Sequence, residues 1–130
     1  MRKISRKGLV KKLDNIFSLY IRLRYSENEI VECFTCGKKA HYKDNMQCGH
    51  FQSRKHLSTR WDEMNCEVQC KSCNVFKFGE QFIFGIKLNA KYGKGTSQKL
   101  MQKSKQINKI SNHDIIEMID KYNDLVNQLI

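Results

Sequence analysis

Acidic residues are scarce in this chain. Of its 130 residues, 13 are Asp or Glu and 24 are Lys or Arg, a formal net charge of +11. That balance excludes a typical acidic cytosolic enzyme and favours a polyanionic partner. Apolar residues are limited too, at 40% with a mean hydropathy of −0.62. A chain of this length, one ordinary domain, buries only about two-thirds of its unfolded surface. A large apolar core is therefore excluded, and something else must help hold the fold. No run of 18 apolar residues occurs, so no membrane-spanning helix is expected. No apolar stretch or small-residue cleavage site follows the basic start, so no secretory signal is expected. No internal repeat is visible. The expected location is intracellular, and there six cysteines are read as metal ligands ahead of disulfides.

What is present is unevenly placed. Residues 1–26 carry eight bases against Asp14, and residues 75–110 carry eight lysines against Glu80, net +7 each. Residues 27–74 are balanced, and residues 111–130 are net −3. A neutral centre between basic flanks suits a long polyanion held on both sides of a reaction centre, so nucleic acid is the expected partner.

Hydrophobic spacing predicts a basic amphipathic helix over 9–25, with Leu9, Leu13, Ile16, Phe17, Tyr20 and Leu23 on one stripe. Residues 30–80 read as irregular, with short strands near 47–52 and 66–70. A helix is expected over 72–91, with Phe76, Phe82, Phe84, Ile86 and Leu88 on its apolar face and Phe78 also counted in the core. Gly93 and Gly95 mark a stop and loop over 92–96. Residues 97–106 read as a mobile helical linker. A second amphipathic helix is expected over 112–130, capped by Asn112.

The cysteines form two pairs, Cys33-Phe34-Thr35-Cys36-Gly37 and Cys70-Lys71-Ser72-Cys73-Asn74. Each CxxC turn places two thiolates on one side of a metal, and two turns complete a tetrahedral zinc site. Lys38, Lys39 and Lys71 would favour the thiolates. Cys48 and Cys66 are expected to pack as small buried hydrophobes nearby. The pairs are separated by 33 residues, more than the 15–20 of a simple ribbon, so the insert must hold structure of its own. It contains Cys48-Gly49-His50-Phe51 and Asn65, and Asn74 follows the last zinc cysteine.

This order, CxxC, His50, Asn65, CxxC-Asn74, resembles a zinc-stabilised HNH (His-Me finger) nuclease, with a layout shared by the phage branched-DNA resolvase endonuclease VII. The sequence is more similar to the phage lambda NinG (Rap) recombination family. That similarity rests on Ile21-Arg22-Leu23-Arg24, Cys33–Gly37, Gly49-His50-Phe51 with Ser53 and Arg54, Arg60–Asn65, and Gln69–Asn74. It covers about residues 9–93.

The resemblance implies a zinc-stabilised ββα-metal core over 27–92; with the helices read from hydrophobic spacing, a basic N-terminal helix over 1–26 and a linker with a C-terminal helix over 93–130, the expected fold is a single α+β domain. The resemblance also implies His50 as the general base, Asn65 fixing the loop that carries it, and Asn74 as a ligand of a catalytic Mg²⁺ or Mn²⁺. Zinc on Cys33, Cys36, Cys70 and Cys73 would be structural. Many His-Me finger nucleases place Asp before the catalytic His, where this chain has Gly49, a Gly-His pair that NinG-like sequences share. Glu67 is the expected replacement ligand, ahead of His56 and Asp62. Arg54, Lys55, Arg60, Lys71 and Lys77 are read as phosphate contacts, and Trp61 as packing in the hairpin loop.

The implied function is a metal-dependent endonuclease on branched DNA, Holliday junctions or D-loops, in phage recombination. A homodimer is expected, with the C-terminal helix as its candidate interface, in the host bacterial cytoplasm if phage-encoded. The alternatives are a less selective endonuclease or nickase on duplex DNA, or a non-catalytic zinc-binding DNA-binding module.

Overall fold

The computed structural model describes residues 3–130, so Arg2 of the basic arm lies outside the described residues. The fold mixes α and β elements. Helix α1 spans Arg6–Leu23, three residues earlier than the periodicity predicts. Ser5 supplies the start, its Oγ accepting the Gly8 N–H at 3.1 Å and satisfying one of the orphan donors of the first turn. Leu9, Leu13, Phe17 and Ile21, four apart, are buried along one face.

Two small antiparallel hairpins follow. Strands β1 (Ile30–Glu32) and β2 (Lys39–His41) pair first, a hairpin the sequence reading left irregular. Strands β3 (Met46–His50) and β4 (Cys66–Cys70) pair second, in register from Met46 opposite Cys70 to His50 opposite Cys66. Their connection holds a single helical turn, α2 (Leu57–Arg60).

The helix expected over 72–91 is broken. A π-helical turn, Ser72–Phe76, is followed by left-handed backbone at Phe78, Gly79 and Glu80, and α3 runs only over Gln81–Tyr92. The break turns Phe76, Phe78 and Phe82 outward, 68%, 87% and 82% exposed, where core positions are expected. Phe84 and Leu88 alone of the predicted face are fully buried. They join Phe51 and Leu100 in a small second cluster.

Gly93 and Gly95, both with positive φ, end α3 as expected. The segment read as a mobile helical linker is helical, α4 (Thr96–Ser104), and it packs on α3 and α2 with Leu100 buried. Helix α5 spans Asn112–Leu129. Its cap is Ser111, not Asn112: Ser111 Oγ accepts the Asp114 N–H and Asp114 returns a bond to the Ser111 N–H.

Helices α1 and α5 pack together and close the main core, with Phe17 edge-on to Tyr122 at 5.0 Å. The Tyr20 and Tyr122 hydroxyls both donate to Glu63, tying the pair to the β3–β4 connection. Among the described residues no helix is long and apolar enough to cross a membrane.

Candidate functional site

The four paired cysteines converge as their spacing predicts. Cys33 and Cys36 sit in the β1–β2 turn, where Gly37 takes the positive φ that the turn needs. Cys70 ends β4 and Cys73 lies in the π-helical turn. Their sulfurs all lie within 4.8 Å of one another, and Cys36 and Cys70 are 3.7 Å apart. Zinc–sulfur bonds of about 2.3 Å give a tetrahedron with edges of about 3.8 Å.

The thiols also divide electrostatically. Burial pushes Cys33 up, but the Thr35 hydroxyl and backbone amides outweigh it and bring the thiol down to about 6. Burial, with neighbouring Cys36 and Cys70, pushes Cys73 up to about 12, against a lowering contact to Thr35. Four thiolates at one point repel, and a divalent cation removes that repulsion. The donor set fits a structural zinc whose coordination is complete.

A cavity of about 770 Å³ lies along the open edge of β3, between α1 and the 77–81 turn. His50 and Asn74 both line it, with Asp14, Gln47, Cys48, His56 and Phe78. His50 Nε2 is 2.9 Å from the Arg60 carbonyl oxygen. A carbonyl only accepts, so Nε2 carries the proton and Nδ1 keeps the lone pair. Burial, then the Arg54 and Arg60 charges, hold the His50 pKa below its usual range against the Arg60 carbonyl and Asp14. The imidazole is therefore neutral at pH 7.

The frame around His50 comes from residues far apart in sequence. Asn65 is fully buried; its Nδ2 donates to the Gln52 and Thr59 carbonyls and its Oδ1 accepts the Gln52 N–H. It thus ties both ends of the connection that carries Arg60. Asp14 of α1 grips the Arg60 guanidinium at 2.6 and 3.1 Å and accepts the Trp61 indole N–H at 3.0 Å. Asp14 thereby holds the carbonyl that holds His50. The sequence reading missed it; the available signal was that it is the one acid among residues 1–26.

Other expected residues are placed as follows. Asn74 donates to Gln47 at 2.7 Å, and no hydrogen bond among the described residues engages its amide oxygen. Glu67 does not line the cavity. Its carboxylate is 3% exposed and is taken up by Lys91 at 2.7 Å and Arg24 at 3.4 Å. Asp62 is likewise engaged, by Lys103 at 2.6 Å, so of the three candidate replacement ligands only His56 reaches the cavity.

Arg60 is a structural clamp in place of a free phosphate contact, because Asp14 already neutralises it. Lys55, Lys71 and Lys77 are exposed, and Arg54 stands at the cavity with a loose 3.8 Å contact to Asp14. Trp61 is buried packing, as expected. Cys66 is fully buried, whereas Cys48 is half-buried and lines the cavity.

Gly49, the position where the nuclease resemblance expects Asp, has no room for a side chain. A Cβ there would stand 2.0 Å from Gln69 Oε1 and 2.6 Å from its Cδ. Gln69 is fully buried and donates to Thr35 and to the Gly79 carbonyl. The space of the missing side chain is occupied.

No curated protein and no solved structure matches the chain. The family model described as Bacteriophage Lambda NinG protein matches residues 2–130. With nearly its whole length matched, this chain belongs to the NinG family.

Proposed function

We propose that the chain is a metal-dependent endonuclease of the His-Me finger type that hydrolyses phosphodiester bonds in branched DNA, with His50 as general base. The observation that carries this reading is the fixed tautomer of His50. A neutral imidazole with its Nδ1 lone pair free, in an open cavity beside Asn74, is suited to take a proton from water attacking a phosphate. Asn65 and Asp14 act as positioning residues, holding the backbone that sets the ring. The order β3, β4, then the helical turn bearing Asn74 agrees with a ββα-metal core.

Asn74 and Gln47 line the cavity with amide oxygens, donors that suit a hard ion completed by substrate phosphate. Mg²⁺ or Mn²⁺ bound there would neutralise phosphate charge and stabilise the leaving 3′ oxygen.

Two features support DNA with unpaired bases as substrate. Exposed Lys71 and Lys77 adjoin the cavity turn, offering phosphate contacts. Phe76, Phe78 and Phe82 stand outside the core on the same segment, where flipped or unpaired bases can stack. Two symmetric cuts would call for a homodimer. Ile115, Ile119, Tyr122 and Val126 of α5 are buried in the core that α1 and α5 share, so pairing through α5 would use its exposed Ile116 and Leu129.

Gly49 favours one other reading, a zinc-held DNA-binding module without catalysis, because Gln69 fills the space of the usual carboxylate. Cleavage of a labelled four-way junction and a matched duplex in Mg²⁺, by wild type and His50→Ala, separates these. Junction cutting that falls at least about 10²-fold in the variant, with DNA binding retained, supports the proposal. Equal cutting of both substrates indicates a less selective endonuclease. Tight binding without cutting, in Mg²⁺ or Mn²⁺, indicates the binding module.

A further inference from the structure

We propose that Cys48, His50 and Cys66 form a second metal site, which takes a thiophilic divalent ion such as Zn²⁺ and disables His50 when filled. The two sulfurs and a ring nitrogen all lie within 4.8 Å of one another. The hairpin register creates this group. His50 stands opposite Cys66, and Cys48 is two residues back along β3, so all three side chains share one face. The His50 ring nitrogen and the Cys66 sulfur also approach one atom, the Arg60 carbonyl oxygen, at 2.9 and 3.8 Å.

The donor chemistry selects the ion. Two sulfurs and an imidazole bind a hard ion such as Mg²⁺ poorly, because it prefers oxygen donors, and they suit zinc. Tetrahedral zinc needs donors roughly 3.5–3.8 Å apart, so the group must close by at most about 1 Å, within reach of side-chain rotation. Cys48 and His50 line the open cavity, which gives the ion a path. Binding releases the two thiol protons to solvent, and Zn²⁺ with two thiolates leaves a neutral centre. Three protein ligands keep the fourth position open, unlike the closed four-cysteine site.

Disabling His50 follows from electron counting and rests on the nuclease reading above. A neutral imidazole has one lone pair, and an ion on either nitrogen uses it. No base then remains to accept a proton from water. Hard and soft ions would therefore act in opposite directions on one cavity.

The test uses the full chain loaded with one equivalent of zinc, then titrated with Co²⁺. Zinc binds more tightly than Co²⁺, so the four-cysteine centre keeps its zinc and Co²⁺ reports on any second site. The expected result is one further equivalent bound, with thiolate-to-cobalt charge-transfer and tetrahedral d–d bands. Cys48→Ser, at a half-buried position, should retain the first zinc but lose those bands and weaken Co²⁺ binding at least tenfold, to about the loss seen for an outer-shell partner or more. Absence of a second equivalent, or the same bands in Cys48→Ser, overturns the proposal. This titration needs no cleavage, so it decides the site even if the nuclease reading fails. Where Mg²⁺-dependent cleavage is present, the second equivalent should inhibit wild type and spare Cys48→Ser; equal inhibition of both overturns the regulatory role.

Discussion

Gly49→Ala tests the account of why no side chain fits at this position. The added Cβ would meet Gln69 Oε1 at 2.0 Å, Cδ at 2.6 Å and Cγ at 2.8 Å, so the glutamine must move. It is fully buried, and its Nε2 is held by Thr35 at 3.1 Å and the Gly79 carbonyl at 2.8 Å. Overpacking of this kind costs about 1–3 kcal/mol. Breaking the two bonds and stranding their partners adds about 1–3 kcal/mol. Alanine gains about 0.5–1 kcal/mol over glycine in a strand, since Gly49 lies in ordinary extended backbone and needs no special φ. The expected net loss is about 3 kcal/mol, read by urea unfolding of the zinc-loaded protein. Gln69→Ala should be destabilising alone, yet adding Gly49→Ala to it should cost at least about 1 kcal/mol less than in wild type. A Gly49→Ala protein as stable as wild type, or additive costs in the double variant, would refute the steric explanation.

Other outcomes follow from the same geometry. Burial holds His50 neutral, so cleavage should rise with pH through a value below the ordinary 6.5 and be flat through neutrality; a midpoint above 6.5 in the pH–rate profile would contradict this. Stability carries the matching sign. The unfolded chain takes up this proton near pH 6.5 and the folded chain resists it, so His50 lowers stability as pH falls below about 6.5. Cys70→Ser or chelation should unfold the centre, because zinc binding of about 10–16 kcal/mol rivals a total stability of about 5–15 kcal/mol; native circular dichroism without metal would count against it. Lys77→Ala should reduce the salt slope of DNA affinity by about 1, measured by anisotropy at several salt concentrations. Phe78→Ala should cost about 1–3 kcal/mol in binding junction DNA and little with perfect duplex; equal losses on both would exclude base stacking.

Much of this was legible in the residues, and the exceptions have physical causes. The CxxC pairs fixed which turns meet, because metal-ligand spacing is a local property with a long-range consequence. The α1 and α5 stripes were legible by period, and the Ser111–Asp114 cap has the spacing of a capping box. The break after Phe76 was hidden because only Gly79 marks it; Phe78 and Glu80 adopt left-handed backbone that their residue types do not advertise. Apolar content alone then misplaced three phenylalanines. Glu67 was misjudged because its partners, Arg24 and Lys91, arrive from α1's end and from α3. Strand position says which residue faces a carboxylate across the hairpin, but not which distant cation claims it.

Zinc and the cavity share their supports, which makes one site conditional on the other. Cys70 closes β4 opposite Met46, where the β3 strand begins. Three residues later Cys73 anchors the π-helical turn, and Asn74, next in the chain, faces the cavity. Metal binding at Cys70 and Cys73 therefore fixes the angle between the hairpin that carries His50 and the turn that carries Asn74. A five-residue hairpin cannot set that angle alone, since two strands are marginal in isolation. The α1 face adds the remaining constraint through Asp14, Arg60 and the Arg60 carbonyl. A chain with a small core can in this way hold a histidine to hydrogen-bond precision: metal on the four cysteines would fix one side of the cavity, and a half-buried ion pair fixes the other.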